Sequence, residues 1–220
     1  PKPEMTGWGE PFFMAWTTTP WTLPSNTALC VGPKIDYVAL QTYNPYTGAP
    51  ITVVMAEVLI GSYFKAEGAE APMDGYKKGD KIIPYRVAGK WRGDELTGMR
   101  YAQLMPWVKP CERIDEHAPE YVRTQAEAHP ENVFEVGTDR FVQLADCAFR
   151  VIPGDYVTTE DGTGIVHIAP TFGADDAKVA KAADIPSLFI INHRGETRPM
   201  VDLQGKYYTL EECAPAFVEK

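Results

Sequence analysis

The sequence is 220 residues long, 45% hydrophobic and 23% charged, with a net charge of -9. That composition excludes a disordered chain, and the length suits one substantial domain. The acidic balance counts against simple nucleic-acid binding, and no run of roughly 18 apolar residues exists to span a membrane.

The 19 prolines and 18 glycines predict many turns and short elements. Pro1-Lys2-Pro3-Glu4 resembles neither a signal peptide nor a natural start, and reads as a cut within a longer polypeptide. Residues 11–19 carry an apolar and aromatic run followed by three β-branched threonines, a strand signal that Pro20 ends. Trp21 to Asn26 then reads as a turn. Strands are expected at 27–31, 37–42 and 51–55, the last two joined by an Asn44-Pro45-Tyr46-Thr47-Gly48 hairpin turn. A short helix at 57–63 and a strand at 81–87 follow, then a turn and short element over 93–101. Residues 110–132 are polar and irregular, with part of them helical. Strand signals recur at 134–144, 148–152, 165–169 and 188–192. Helices are expected at 174–183 and at 209–217, the latter interrupted by Pro215. The expected class is a β-rich α+β fold, a β-barrel-like core with peripheral helices, forming a single domain over residues 1–220.

Four cysteines, Cys30, Cys111, Cys147 and Cys213, stand far apart and form no CxxC pair. With four histidines in the whole chain, neither a zinc site nor a disulfide scaffold is indicated. Dispersed cysteines suit a reduced, cytoplasmic protein. Charge is uneven: from Tyr76 to Arg100, seven basic residues (Lys77, Lys78, Lys81, Arg86, Lys90, Arg92, Arg100) face three acidic ones. This stretch suits a phosphate backbone, and equally a solvated surface loop.

Two segments hold residues able to do chemistry. The first is Trp16-Thr17-Thr18-Thr19-Pro20-Trp21-Thr22-Leu23-Pro24-Ser25-Asn26. On a strand Thr17 and Thr19 share a face, and clustered hydroxyls can hold a ribose, a carbonyl or a water. The same residues also make an ordinary β-branched strand and proline turn. The second runs from Asp161 to Asp176 and contains Gly162-Thr163-Gly164-Ile165-Val166-His167-Ile168-Ala169-Pro170. His167 shares its strand face with Ile165 and Ala169, which suits a buried core histidine as well as a catalyst. Asp175 and Asp176 open the expected helix, where carboxylates suit the free N–H groups. One of them capping leaves Asp176 freer to face a ligand. The glycines make neither GxGxxG nor a P-loop, and neither GxSxG nor HExxH is present.

Together, TTTPWTLPSN and GTGIVHIAP followed by GADD resemble the two signature stretches of the editing domains of the valyl-, isoleucyl- and leucyl-tRNA synthetase group. Gly93 to Tyr101 is similar to the intervening segment, and the resemblance covers about residues 12 to 205. Thr19 and Trp21 stand where the valyl and leucyl branches usually have an arginine and an acidic residue, which favours the isoleucyl branch. Phe172 departs from the histidine many bacterial members have there. The HIGH and KMSKS motifs of the synthetic site are absent.

The resemblance implies an ester hydrolase that removes valine from tRNA(Ile), and valyl-adenylate as a further substrate. The partner is the 3′ end of tRNA(Ile) carrying valine, and the domain is covalently part of a larger synthetase. Asp176 binds the α-ammonium group. His167 lines the pocket and rejects isoleucine, with a general-base role secondary. Thr17, Thr18 and Thr19 hold the terminal adenosine, the aminoacyl carbonyl and the water; Trp21 and Asn26 shape and bind the adenosine end. No cofactor or metal is expected in this domain, ATP and Mg belonging to the parent's ligase site. The competing readings are a valyl or leucyl editing domain and a non-catalytic tRNA-binding appendage.

Overall fold

A computed structural model describes residues 1–220. The strands are β1 (Glu10–Phe13), β2 (Ala28–Val31), β3 (Asp36–Tyr43), β4 (Pro50–Ala56), β5 (Arg86–Arg92) and β6 (Cys111–Arg113). They continue as β7 (Val133–Val136), β8 (Asp139–Gln143), β9 (Arg150–Pro153), β10 (Ile165–Ile168), β11 (Ile190–Ile191) and β12 (Thr197–Arg198). The helices are α1 (Ile60–Tyr63), α2 (Gly93–Leu96), α3 (Glu120–Ala128), α4 (Ala174–Ala182) and α5 (Pro215–Glu219). The class is β-rich α+β, as expected. The sheets stay open, however: they have four, three, two and three strands and do not close into a barrel.

The chain forms two compact units: residues 1–17, 30–100 and 151–166, and residues 18–29, 101–150 and 167–220. In the first, a sheet of order β1-β4-β3-β5 is parallel at β1·β4 and antiparallel elsewhere. Its middle strand β3 buries Tyr37, Val38, Ala39 and Leu40 completely. Consecutive burial of that kind needs both faces covered, which explains why β3 is apolar in a run and does not alternate. The β3–β4 turn follows the sequence reading: Asn44 Oδ1 accepts the N–H groups of Tyr46 and Thr47 at 2.9 and 3.2 Å. β5 lies later than the expected 81–87. Pro84 has no N–H for a ladder, and pairing with β3 runs from Arg86 to Arg92 with a bulge opposite Ala39/Leu40.

Tyr37 ties this unit to the GTG turn. Its O–H donates to the Gly164 carbonyl at 2.5 Å and accepts the Gly32 N–H at 2.9 Å. Burial pushes the phenol up to about 12, so it stays protonated. Gly164 has φ of +74°, and a Cβ there would lie 2.5 Å from the Ala56 Cβ. The second glycine of the motif is therefore a packing requirement of strand entry into β10.

In the second unit, a sheet of order β6-β8-β7 carries an aromatic core of Phe134, Phe141 and Phe189. The expected single strand over 134–144 is a hairpin, β7 and β8, because Gly137 turns at φ of +61°. α3 packs Val122 with Val142 and Leu144. Pro215 opens α5 at the first turn, where its missing N–H is harmless, and does not interrupt a longer helix.

Replacing Tyr37 by Phe leaves a buried carbonyl and a buried N–H without partners. Each such group costs roughly 1–3 kcal/mol. The variant is expected to lower the urea midpoint with an unchanged m-value; an unchanged midpoint would contradict this role.

Candidate functional site

The threonine segment departs from the expected strand. β1 ends at Phe13, and Trp16 makes one isolated parallel bridge to Val166. Pro20 fixes the first φ of a 3₁₀ helix over Pro20–Ser25. The Thr22 N–H and hydroxyl both donate to the Thr19 carbonyl, at 3.0 and 2.8 Å. Local bonds thus tighten the segment, and strand alternation no longer decides which way Thr17 and Thr19 face. Thr17 falls in the first unit, whereas Thr18, Thr19, Trp21 and Asn26 fall in the second with His167 and Asp176. Thr18 and Trp21 are exposed, and Thr19 is half-buried.

His167 is 9% exposed and Asn26 is 3% exposed. The imidazole Nδ1 lies 3.2 Å from Asn26 Nδ2, and Nε2 lies 2.8 Å from Thr22 Oγ1. The same Asn26 Nδ2 donates to the Ala28 carbonyl at 2.8 Å and lies 3.4 Å from the Ile168 carbonyl. Carbonyl oxygens only accept, so this end of the amide is the NH2. His167 Nδ1 is then an acceptor and Nε2 carries the proton. The chain continues from Nε2–H to Thr22 Oγ1, and from the Thr22 hydroxyl to the Thr19 carbonyl. Burial holds the imidazole below its ordinary value of 6.5, while the Asp176 charge pulls the other way. The ring is therefore neutral near pH 7, with both nitrogens engaged. In this bonding Nδ1 accepts from Asn26 and Nε2 donates to Thr22.

Asn26 does not present its amide to solvent. Its Oδ1 accepts the Tyr101 phenol at 2.6 Å, so the side chain is enclosed by the protein. Both ends of the amide are therefore bonded within the protein, one to His167 and the other to Tyr101. On either side, the buried hydroxyls of Ser25 and Thr27 meet no protein partner. Unpaired buried polar groups are uncommon in folded proteins.

Asp176 lies in the first turn of α4, whose N-cap is Gly173 with no side-chain cap. It is half-buried and its Oδ2 accepts the Ala169 N–H at 2.8 Å. This bond fixes the carboxylate against the end of β10. Asp175 is exposed. Of the two acids, Asp176 is thus the one bonded to the end of β10, through a backbone bond absent from the sequence reading. Thr22 and Tyr101 were not singled out from sequence. Thr22 lies inside the first signature stretch; Tyr101, 75 residues from Asn26, ends the intervening segment over 93–101, which gave it no role.

The basic stretch is partly committed to the fold. Arg86 donates to the carbonyls of Gly68, Tyr85 and Ala71. Lys90 pairs with Glu57 and Asp36, and Arg92 with Asp36. Lys77, Lys78, Lys81 and Arg100 are exposed. No group of three His, Cys, Asp or Glu side chains converges to hold a metal ion. No helix is long and apolar enough to cross a membrane.

No family model matches the chain. Among curated proteins, it is 58% identical to the isoleucine–tRNA ligase of Bacteroides thetaiotaomicron over 220 residues, all of this chain and 17% of that protein. It is 51% identical to the ligase of Porphyromonas gingivalis over 222 residues, again all of this chain and 16% of that one. Among solved structures, the P. falciparum cytosolic leucyl-tRNA synthetase editing domain aligns with a TM-score of 0.47 and 11% identity, over 85% of this chain and 57% of that one. The chain thus spans 16–17% of the length of these curated relatives. Such identity across every residue defines a segment of an aminoacyl-tRNA ligase. The chain belongs to the isoleucine–tRNA ligase family.

The depressed His167 gives a pH test. As pH falls through 6.5, the unfolded chain takes up a proton that the folded chain resists, so stability present above that value is lost on acidification. Glu112, raised by burial against the Ser187 N–H bond, acts with the opposite sign at lower pH, its contribution being lost as pH rises. His167→Gln is expected to flatten the fall in urea midpoint between about pH 7.5 and about pH 5.5. An identical fall in the variant would show that His167 is not buried neutral.

Proposed function

We propose that this chain is the editing domain of an isoleucine–tRNA ligase, which hydrolyses the ester linking valine to tRNA(Ile). The observation that carries the reading is the meeting, within one compact unit, of parts of the two signature stretches, 18–26 and 167–176: Thr19 and Thr22 bonded through His167 to Asn26, with the Asp176 carboxylate held at the end of the same strand.

The chemistry needs little beyond placement. The aminoacyl ester is already activated, so positioning of water and stabilisation of the oxyanion can supply the acceleration. Asp176 retains an oxygen beyond the one bonded to Ala169, and its charge suits an α-ammonium group. The Thr18 and Thr19 hydroxyls supply donors for the carbonyl and ribose, with Thr17 beside them in sequence, and exposed Trp21 offers a flat face to the adenine. Neutral, buried His167 acts as a wall and not as a base.

That wall matters because one methylene is a weak handle for a single hydrophobic pocket; isoleucine against valine is itself the known example of that limit. A second site that excludes the larger side chain works by steric refusal, which close-packed walls do well. Valyl-adenylate carries the same ammonium and acyl groups and suits the same site. ATP and Mg belong, in this reading, to the parent's ligase site.

The test measures hydrolysis of valyl- and isoleucyl-tRNA(Ile) with the wild type, Asp176→Ala and Asp176→Asn. Loss of valine alone is expected. Asp176→Asn keeps an acceptor for the Ala169 N–H but lacks the charge, so it should lose on the order of 100-fold in kcat/KM while remaining folded. Equal hydrolysis of both esters, or an unaffected Asp176→Asn, would defeat the reading.

A further inference from the structure

Tyr101 lies outside both signature stretches, yet it closes the hydrogen-bond chain of the site. Its phenol donates to Asn26 Oδ1 at 2.6 Å, and burial keeps the phenol protonated well above its usual range. The bond is held in register by Phe149. The Phe149 N–H donates to the Thr27 carbonyl at 2.7 Å, and its carbonyl accepts the Tyr101 N–H at 2.9 Å. The Phe149 and Tyr101 rings also meet edge to face, with centroids 6.1 Å apart. Phe149 has φ of +56°, one of two non-glycine residues in the left-handed region. Bulky side chains occupy that region only when their surroundings compel it, and such residues gather at functional sites. A backbone bent in this way draws the residues beside Asn26 and the residue bearing the phenol to the same place.

Asn26 has two orientations related by turning its amide. With the oxygen toward Tyr101, the NH2 meets His167 Nδ1 and the Ala28 carbonyl, and the imidazole must carry its proton on Nε2. With the amide reversed, an oxygen would face Nδ1 but also the Ala28 and Ile168 carbonyls, at 2.8 and 3.4 Å, so those carbonyls select the first orientation. We propose that Tyr101 is a positioning residue: by donating to Asn26 Oδ1 it pins the amide whose NH2 end those carbonyls select, and so holds that NH2 against Nδ1 and keeps His167 a neutral donor to Thr22. Thr22 in turn bonds the Thr19 carbonyl, so the phenol sets the posture of the threonine turn two bonds beyond the imidazole. The consequence for hydrolysis rests on the editing reading; the tautomer is a property of the fold and is tested separately.

The experiment is long-range ¹H–¹⁵N correlation of the imidazole rings in the 220-residue chain at neutral pH, with the His167 signals assigned by their loss in His167→Gln. The wild type should show protonated Nε2 and bare Nδ1. Tyr101→Phe, which removes one oxygen, should move both nitrogens away from their wild-type shifts, because the unpinned amide bonds Nδ1 less well. It should also lower kcat for valyl-tRNA(Ile) by roughly 10- to 100-fold with little change in KM, as expected for misplaced groups. Asn26→Asp, offering an acceptor where the NH2 stood, should give a ring protonated on Nδ1, and serves as the second arm if Tyr101→Phe does not fold. Wild-type nitrogen shifts in Tyr101→Phe or in Asn26→Asp would overturn the proposal. Wild-type protein that shows the stated tautomer but hydrolyses neither ester would sink the editing reading alone.

Discussion

The bond from the Asn26 amide to the His167 imidazole is the contact on which the rest of the site depends. A buried carboxamide is tolerable only when each of its groups finds a partner. Here the NH2 group meets two carbonyls and Nδ1, and the oxygen meets a phenol. That complete set dictates the imidazole's proton, the proton dictates the direction of the Thr22 hydroxyl, and the hydroxyl fixes the start of the 3₁₀ turn. A small rearrangement at Asn26 would therefore propagate to Thr19 without any change in the sheets.

Much of this was legible in the sequence, and the division between what was and was not follows the range of the forces. The β3–β4 hairpin was readable because Asn44 and Gly48 act within five residues. α4 and the turn at Gly162 were readable for the same reason. The two motif stretches stood out only in combination, since threonines before a proline and a histidine in an apolar strand each have an ordinary explanation. What sequence could not give was long-range pairing. β5 was placed too early because Lys81 to Val87 has strand-like composition, whereas its place is decided by pairing with β3. The threonines were assigned to a strand because their propensity says so, and short-range bonds from Thr22 overrode it. Tyr101 ends the 93–101 segment, but its role was hidden because nothing near it in the chain hints at Asn26.

The acidic carboxylates illustrate a related lesson. Asp175 and Asp176 are chemically equal on paper and adjacent, yet one is exposed and the other is bonded at 2.8 Å to the end of β10. Helix phase alone separates a surface charge from a fixed one. The basic stretch shows the reverse: seven positive residues look like a single field, but three of them answer carbonyls or carboxylates of their own fold.

The order of the chain itself has a consequence for how the molecule comes into being. The compact unit that contains the site is assembled from residues 18–29, 101–150 and 167–220, with the other unit's segments between them. On a ribosome, Asn26 emerges long before Tyr101, and Tyr101 long before His167. Contacts between such distant residues form slowly and only after long loops close. Until synthesis passes His167, the amide and the Thr22 hydroxyl have only water in place of the imidazole. The nascent threonine segment must therefore wait, hydrated and uncommitted, for a strand made some 140 residues later.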